Sequence, residues 1–286
     1  LKKVSVIIPA FNSQETLARA VLSVVYEPLV SEIFIVDDGS TDDSREIAQR
    51  LAMKFSFIHL LQHPDGENKG GAASRNLGLS YATSEWIQFL DADDELLPGK
   101  IGGQLNLTTS EVAFVVGNSI HVFPDGRKSM KESDRDIWTG LIISKLGDTC
   151  ANLWNKKFLL EVGGWNEMLS SSQEYDLMFR ITKINQNLRF TSEFSTIVHK
   201  RPDSISTSPD LKNQRVENWL NLRLKIKEFL TANKLFTLNR KYFYYSYVRI
   251  FCTENGVDYV VKEGKLYWYC YSMILRIKKM LYEFKA

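Results

Sequence analysis

The first hundred residues alternate between short β-branched apolar runs and segments with apolar residues three and four apart, and nothing else in the chain limits its fold so tightly. Residues 4–9 (VSVIIP), 32–36 (EIFIV), 57–61 (FIHLL) and 86–90 (WIQFL) carry the strand signature. Between them, residues 13–26, 42–54 and 70–82 carry the helical one, the first two entered through Ser or Asp caps. Alternation of this kind builds a parallel sheet covered by crossover helices, so the expected fold class is α/β.

Beyond residue 100 the alternation stops. Residues 111–123 read as strand, Pro124-Asp125-Gly126 as a turn, 152–165 as a mixed stretch ending in Gly163-Gly164, 174–184 as helix and 188–199 as strand. After Pro202 and Pro209 the composition shifts to helical patterns over 211–232, 241–252 and 263–284. The chain therefore divides into residues 1–210, with halves 1–100 and 101–210, and a C-terminal helical region, 211–286.

A length of 286 residues and 44% hydrophobic content suffice for one sizeable core. Net charge is +2, too balanced to announce a nucleic-acid partner, although from Arg240 onward nine Lys/Arg face four Asp/Glu. Three cysteines, Cys150, Cys252 and Cys270, are odd in number and widely spaced. They write neither a disulfide framework nor a zinc site, and point to a reducing, cytoplasmic setting. No run approaches the roughly 20 apolar residues of a membrane span, and the N-terminus lacks signal-peptide patterning.

In an open parallel sheet, ligands bind beyond the carboxyl ends of the strands. The first predicted strand ends in Pro9-Ala10-Phe11-Asn12, the second in Asp37-Asp38-Gly39-Ser40 and the fourth in Asp91-Ala92-Asp93-Asp94. Three distant segments thus deliver an aromatic ring and carboxylates to one edge, a set suited to a nucleoside diphosphate and a hard cation. Taken singly, each has a plainer reading. Asp37–Asp43 suits a turn before a helix, Phe11 a core position, and residues 91–95 a solvated acidic first turn. A calcium EF-hand is excluded, because the sixth loop position would be Leu96 where Gly is required.

The segments VSVIIPAFNSQETL, VDDGSTDDS, KGGAASRNLGLSYA and FLDADDEL, in this order and at these separations, resemble the nucleotide-sugar-binding half of a family 2 glycosyltransferase of the GT-A fold. The likeness runs from about Val4 to Ser206. It implies a GT-A mixed sheet with a C-terminal helical extension, and a transfer that inverts the anomeric centre. It further implies that Pro9, Ala10 and Phe11 flank the base and that Asp38 reads its edge. Asp91 is implied near the ribose, and Asp93 as ligand of a Mn²⁺ or Mg²⁺ that grips the diphosphate, with Asp94 as a further metal candidate. Gly70, Gly71 and Arg75 border the donor, a UDP-sugar being favoured.

On the acceptor side, SSQEYDLMFR (171–180) resembles the family's acidic motif at the start of a helix, with Glu174 where Asp is common. Such a carboxylate would take the acceptor hydroxyl's proton. Asp176, the second carboxylate of this candidate catalytic motif, points away from Glu174 on a helix and is expected to bond structure or backbone. Gly163-Gly164-Trp165-Asn166-Glu167 resembles the acceptor-side loop, with Trp165 buried or partly buried. The segment IVHKRPDSIS (197–206) departs from the family's Arg-x-His order, since His199 precedes Arg201. His199 as metal ligand or strand residue, and Arg201 as partner of the diphosphate, are both left open.

Residues 242–251 (YFYYSYVRIF) and 266–275 (LYWYCYSMIL), followed by Arg276, Lys278 and Lys279, are aromatic and basic. Such helices suit peripheral contact with the inner face of the cytoplasmic membrane, where a lipid-linked glycan acceptor would be met, or pairing with a second copy. Other classes stand beside the glycosyltransferase: a haloacid-dehalogenase-like phosphatase, whose Asp-x-Asp ends the first strand; a nucleotidyltransferase, with a Gly-rich basic loop after strand one; and an inactive glycan-binding module. The first two fail on where the motifs fall, the third on the intact carboxylates.

Overall fold

The computed structural model describes residues 2–64, 66–201 and 211–257, with residues 264, 266, 267, 269 and 273. Four parallel strands, β1 (Val4–Ala10), β2 (Val30–Asp37), β3 (Ile58–Gln62) and β4 (Trp86–Phe89), lie in the order β3-β2-β1-β4. Their crossovers are α1 (Leu17–Leu22), α2 (Ser44–Lys54) and α3 (Gly71–Tyr81). Alternate residues of β1 face opposite sides, as the pleat requires. Ile7 joins Phe34, Ile87 and Phe89 in one core layer, whereas Val6 and Ile8 join Ile33 and Ile35 in the other.

Helix α1 is shorter than the sequence pattern predicts, because residues 13–16 and 23–26 form turns. Nor does a Ser or Asp side chain cap it, its cap residue being Thr16. At α2 the cap position is Asp43, yet the preceding Asp42 supplies the bond: its Oδ1 accepts from the Ser44 N–H at 3.0 Å and its Oδ2 from the Gln14 N–H at 3.1 Å. One side chain thus starts α2 and ties it to the loop before α1.

The second half continues the same sheet with antiparallel and parallel additions. After β5 (Glu95–Leu96) and α4 (Lys100–Leu105) come β6 (Phe114–Val122), β7 (Lys128–Lys131), α5 (Ile137–Ile142), β8 (Leu153–Asn155), α6 (Lys156–Glu161), α7 (Gln173–Ile184) and β9 (Leu188–His199). The path runs on as β4-β8-β6-β9-β5, with β7 hairpinned on β6, making nine strands among the described residues. The predicted turn at 124–126 is present, with Gly126 at φ 80° and the Phe123 N–H donating to Arg127 O at 2.9 Å.

Helices α8 (Lys212–Ala232) and α9 (Leu238–Asn255) complete the described chain. Leu222, Ile226, Leu230, Tyr244, Val248 and Cys252 belong to the same buried cluster as Phe89, Trp154 and Leu177, so the helical extension shares the sheet's core. Arg223 of α8 is 1% exposed, stacked 4.2 Å from the Trp219 ring, and it donates to Ile142 O at 3.2 Å and to the Ser144 hydroxyl. The third predicted tail helix, over 263–284, and Arg276, Lys278 and Lys279 lie outside the described residues apart from the isolated positions above.

Candidate active site

The ends of β1 and β2 are laced together before any ligand is considered. The Asp38 N–H donates to Ala10 O at 2.8 Å, and Asn12 Oδ1 accepts from the Thr41 N–H at 2.8 Å. Ala10 is buried, Pro9 half-buried, and Phe11 is 47% exposed at the sheet edge, an open ring where a planar base can lie.

Asp38 is placed differently from expectation. It is 3% exposed, and its two oxygens accept from the Lys69 and Gly70 N–H groups at 2.8 and 2.9 Å, with His63 Nε2 3.3 Å away. A carboxylate so enclosed is a tie for the loop at the start of α3 rather than an open acceptor for a base edge. The loop it holds ends at Gly70, whose φ of 87° favours glycine and around which a Cβ would meet nothing, so backbone N–H groups border open space.

Arg75, one turn into α3, reaches Asp91 Oδ1 at 2.5 Å and lies 4.7 Å from the Trp165 ring centroid. Trp165 is 2% exposed and packs edge-on against Phe89 at 5.1 Å. Its backbone is gripped at both ends by Asn76, which accepts from the Trp165 N–H at 2.8 Å and donates to its carbonyl at 2.9 Å. The indole is therefore a floor beneath Arg75, not a surface for a sugar.

The three aspartates after β4 have separate environments. Asp91 and Asp93 keep side chains about a third exposed. Burial, reinforced by the charge of Asp91, pushes the Asp93 carboxyl up, and Arg201, whose Nε lies 3.0 Å from Asp93 Oδ2, offsets part of this. Asp94 turns inward: it is 3% exposed, Oδ1 accepts from the His199 N–H at 2.9 Å and Oδ2 from the Cys150 thiol at 3.1 Å. Burial and its two acidic neighbours hold its carboxyl well above the usual range. Asp94, expected as a metal candidate, is thus turned into the protein instead.

His199 ends strand β9. Its Nε2 sits 2.7 Å from Glu95 Oε1, and Arg19 Nε lies 3.3 Å from the same oxygen. This pairing spans the β5–β9 ladder, where Glu95 faces Ile197. Among the described residues, no group of three or more His, Cys, Asp or Glu side chains can hold a metal ion alone. Asp91 and Asp93 still suit a hard cation, which takes oxygen ligands and completes its shell with phosphate and water. Burial and then the charge of Asp91 raise Asp93, and a bound cation would oppose both.

Glu174, in the first turn of α7, is half-buried and faces a cavity of about 570 Å³ lined also by Lys69, Gly70, Arg75, Glu167 and Arg215. Burial raises its carboxyl above the ordinary range; Asp148 and Asp91 add to this, while Arg75 opposes it. Asp176 is 6% exposed and bonded by Arg180 Nε at 2.7 Å, one turn along α7, with Arg180 also donating to Val162 O at 2.7 Å. Asp176 thus orients Arg180, whose bond to Val162 O ties α7 to the chain before it.

Asp148 escaped the sequence reading, as did the Arg19–Glu95 pair and the fully buried Lys100, whose amine donates to Gln88 Oε1 and which burial brings down to about 7. Glu95, Lys100 and Asp148 sit in short elements or loops, where no period shows which way a side chain turns.

A mixed sheet of this order, with carboxylates gathered at the ends of its parallel strands, is the GT-A architecture. Staphylococcus aureus TarS 1-349 in complex with UDP-GlcNAc superposes with a TM-score of 0.68 at 17% identity, covering 93% of this chain and 78% of that one. The mannosyltransferase PcManGT from Pyrobaculum calidifontis, in complex with GDP-Man and Mn²⁺, gives 0.61 at 14% identity over 96% and 80%. Residues 5–166, more than half of the chain, match the family model "Glycosyl transferase family 2", and the chain belongs to that family. The succinoglycan biosynthesis protein ExoU of Rhizobium meliloti is 40% identical over 36% of this chain and 30% of its own length. The GalNAc(5)-diNAcBac-PP-undecaprenol beta-1,3-glucosyltransferase of Campylobacter jejuni is 30% identical over 68% and 56% respectively. The chain thus spans about a third to somewhat over half of these relatives.

Proposed function

We propose that this chain moves a sugar from a nucleotide-diphosphate donor to a hydroxyl of a glycan or lipid-linked acceptor, inverting the anomeric centre. The observation that carries the reading is Glu174: a half-buried carboxylate with a raised pKa, in one cavity with Gly70 and with Arg75, which is itself bonded to Asp91. Glu174 takes the proton of the acceptor hydroxyl as its oxygen bonds to the anomeric carbon. The bond from that carbon to the diphosphate oxygen breaks on the opposite side, and its electron pair leaves with the nucleotide. Arg75 and Arg201, beside Asp91 and Asp93, offer charge-assisted bonds to the departing diphosphate.

Asp93, with Asp91, would hold a Mn²⁺ or Mg²⁺ ion, which supplies neutralisation of the diphosphate charge when bound. The exposed Phe11, with Pro9 and Ala10 behind it, supports a base site. UDP is the favoured base carrier, in line with the UDP-GlcNAc held by TarS, and the GDP-Man of PcManGT makes guanine the base to test against it. The acceptor in the name of the Campylobacter protein, a diphospho-undecaprenol-linked glycan, supports a lipid-linked acceptor here.

The setting that fits is cytoplasmic, with the C-terminal helices resting on the inner face of the cytoplasmic membrane or pairing with a second copy. Buried, free Cys150 and Cys252 support a reducing compartment, and no helix among the described residues is long and apolar enough to cross a membrane. Glu174→Gln is expected to lower transfer by about 10²–10⁴-fold while nucleotide-sugar affinity, read by calorimetry, stays as in the parent. Unchanged turnover would remove Glu174 from the mechanism.

A further inference from the structure

Glu174 lines one cavity and its neighbour Tyr175 lines another. The second measures about 430 Å³, within the range of small-ligand sites, and shares no lining residue with the first. Its polar side is built around Asp148. The Ser119 hydroxyl and His121 Nε2, the latter at 2.9 Å, both bond to Asp148 Oδ2, while Oδ1 takes no bond among the described residues. Ser119 and His121 are 1% and 8% exposed, whereas the Asp148 side chain keeps 35%. Burial works to raise this carboxyl, but the bonds from His121 and Ser119 and the charge of Lys200 bring it below the ordinary range. It is an oriented, ionised acceptor with one oxygen to spare.

The loop that carries Asp148 is fixed from three sides. Gly147 has φ 81°, and a Cβ there would sit 2.1 Å from Asn152 Oδ1, an atom already accepting from the Gly117 N–H at 3.0 Å. The Tyr175 hydroxyl donates to Gly147 O at 3.2 Å and accepts from the Leu146 N–H at 3.3 Å. Arg223 holds Ile142 and Ser144. Ile143 and Tyr247 supply apolar surface, and Lys131 and Lys145 balance Glu132 and Asp148 in formal charge. An oriented carboxylate with apolar surface, in a lining without net charge, matches a neutral pyranose ring, which has hydroxyls at its rim and a C–H face.

We infer that this second cavity binds a neutral hexopyranose unit of the acceptor glycan, with Asp148 Oδ1 accepting from a sugar hydroxyl and Ile143 and Tyr247 meeting the C–H face. The inference rests on the glycosyltransferase reading and on Glu174 as its base. The unit that receives the new sugar, or the one before it, would sit beside Tyr175 with its chain directed toward Glu174.

The test uses the full chain with UDP or GDP and Mn²⁺, and methyl glycosides of glucose, galactose, N-acetylglucosamine and N-acetylgalactosamine as probes. Saturation-transfer NMR should show at least one glycoside bound to the parent protein. Its half-saturation should weaken about tenfold in Asp148→Asn and in Lys131→Trp. Lys131 is exposed on the short strand β7 and pairs with Ser119, so the larger side chain covers the cavity without disturbing the core. The nucleotide titration of the same samples should match the parent, which shows that both variants fold. Absence of any glycoside signal from the parent overturns the inference, as does a glycoside that binds both variants as it binds the parent. Failure of the parent to bind any nucleotide instead sinks the glycosyltransferase reading, whatever the glycosides do.

Discussion

The two halves of the sheet solve the same problem by different means. In residues 4–100, regular strands end at a common edge, and each delivers a functional side chain by virtue of where it stops. In residues 101–201, Glu174 stands on the long helix α7, but the loop that carries Asp148 is pinned by single bonds from other elements, such as the Tyr175 hydroxyl on Gly147 and Arg223 on Ser144. A site made from strand ends inherits its geometry from the backbone ladder; one made from loops needs dedicated side chains to hold it.

Arg223→Ala should separate the halves most sharply. Burial lowers its pKa to about 10, so it remains charged at neutral pH, and removing it frees Ile142 O and Ser144 and opens a void between Trp219 and Tyr175. A loss of roughly 3 kcal/mol is expected by urea denaturation. Nucleotide affinity measured below the transition should hold, and if it collapses instead, the two halves are one unit energetically. The next contrast lies within the first half. Asp93→Asn should weaken nucleotide binding in Mn²⁺ by roughly 10–100-fold, whereas Asp94→Asn, behind it, should leave the Mn²⁺ dependence intact. Calorimetry with and without the ion checks both, and an equal loss in the two variants would put Asp94 at the cation.

The smallest effect is a displacement of the pH profile. Because burial raises Glu174 above its ordinary 4.5, the acid limb of turnover should lie above that value, and activity falls as the pH drops through it. Ionising Glu174 also costs stability, since a raised carboxyl binds its proton more tightly in the folded state. Its contribution is therefore most favourable at low pH and declines as pH climbs from the unfolded toward the folded pKa. A limb at or below 4.5 would show that Asp148 and burial do not act on Glu174.

Much of this was legible in the chain. The four parallel strands, α2, α3, α7 and β9 emerge from periodicity because each is long enough to show a period, and the acidic edge follows from where the strands end. The separate fates of Asp93 and Asp94 did not emerge, since neighbouring residues in a tight turn have no repeat to say which faces inward. The enclosure of Asp38 is not legible, because the sequence does not show the Lys69 and Gly70 N–H groups turning to it. Nor does it show that the two-residue strand β5 brings Glu95 opposite His199. Asp148 lies in a stretch with no pattern, and only the fold sets it beside Ser119 and His121.

The shared core of α5, α7, α8 and α9 bears on how the chain matures as it leaves the ribosome. The parallel strands and their crossovers can pair once residue 89 has emerged, well before α8 and α9 are made. Trp138, Leu177 and Phe179 must wait for Leu222 to Cys252 before their layer closes, leaving aromatic surface open through the synthesis of some hundred residues. Truncation before α9 would therefore release a species with a formed nucleotide edge and an unsealed back, a substrate for chaperones and proteases rather than a smaller working enzyme.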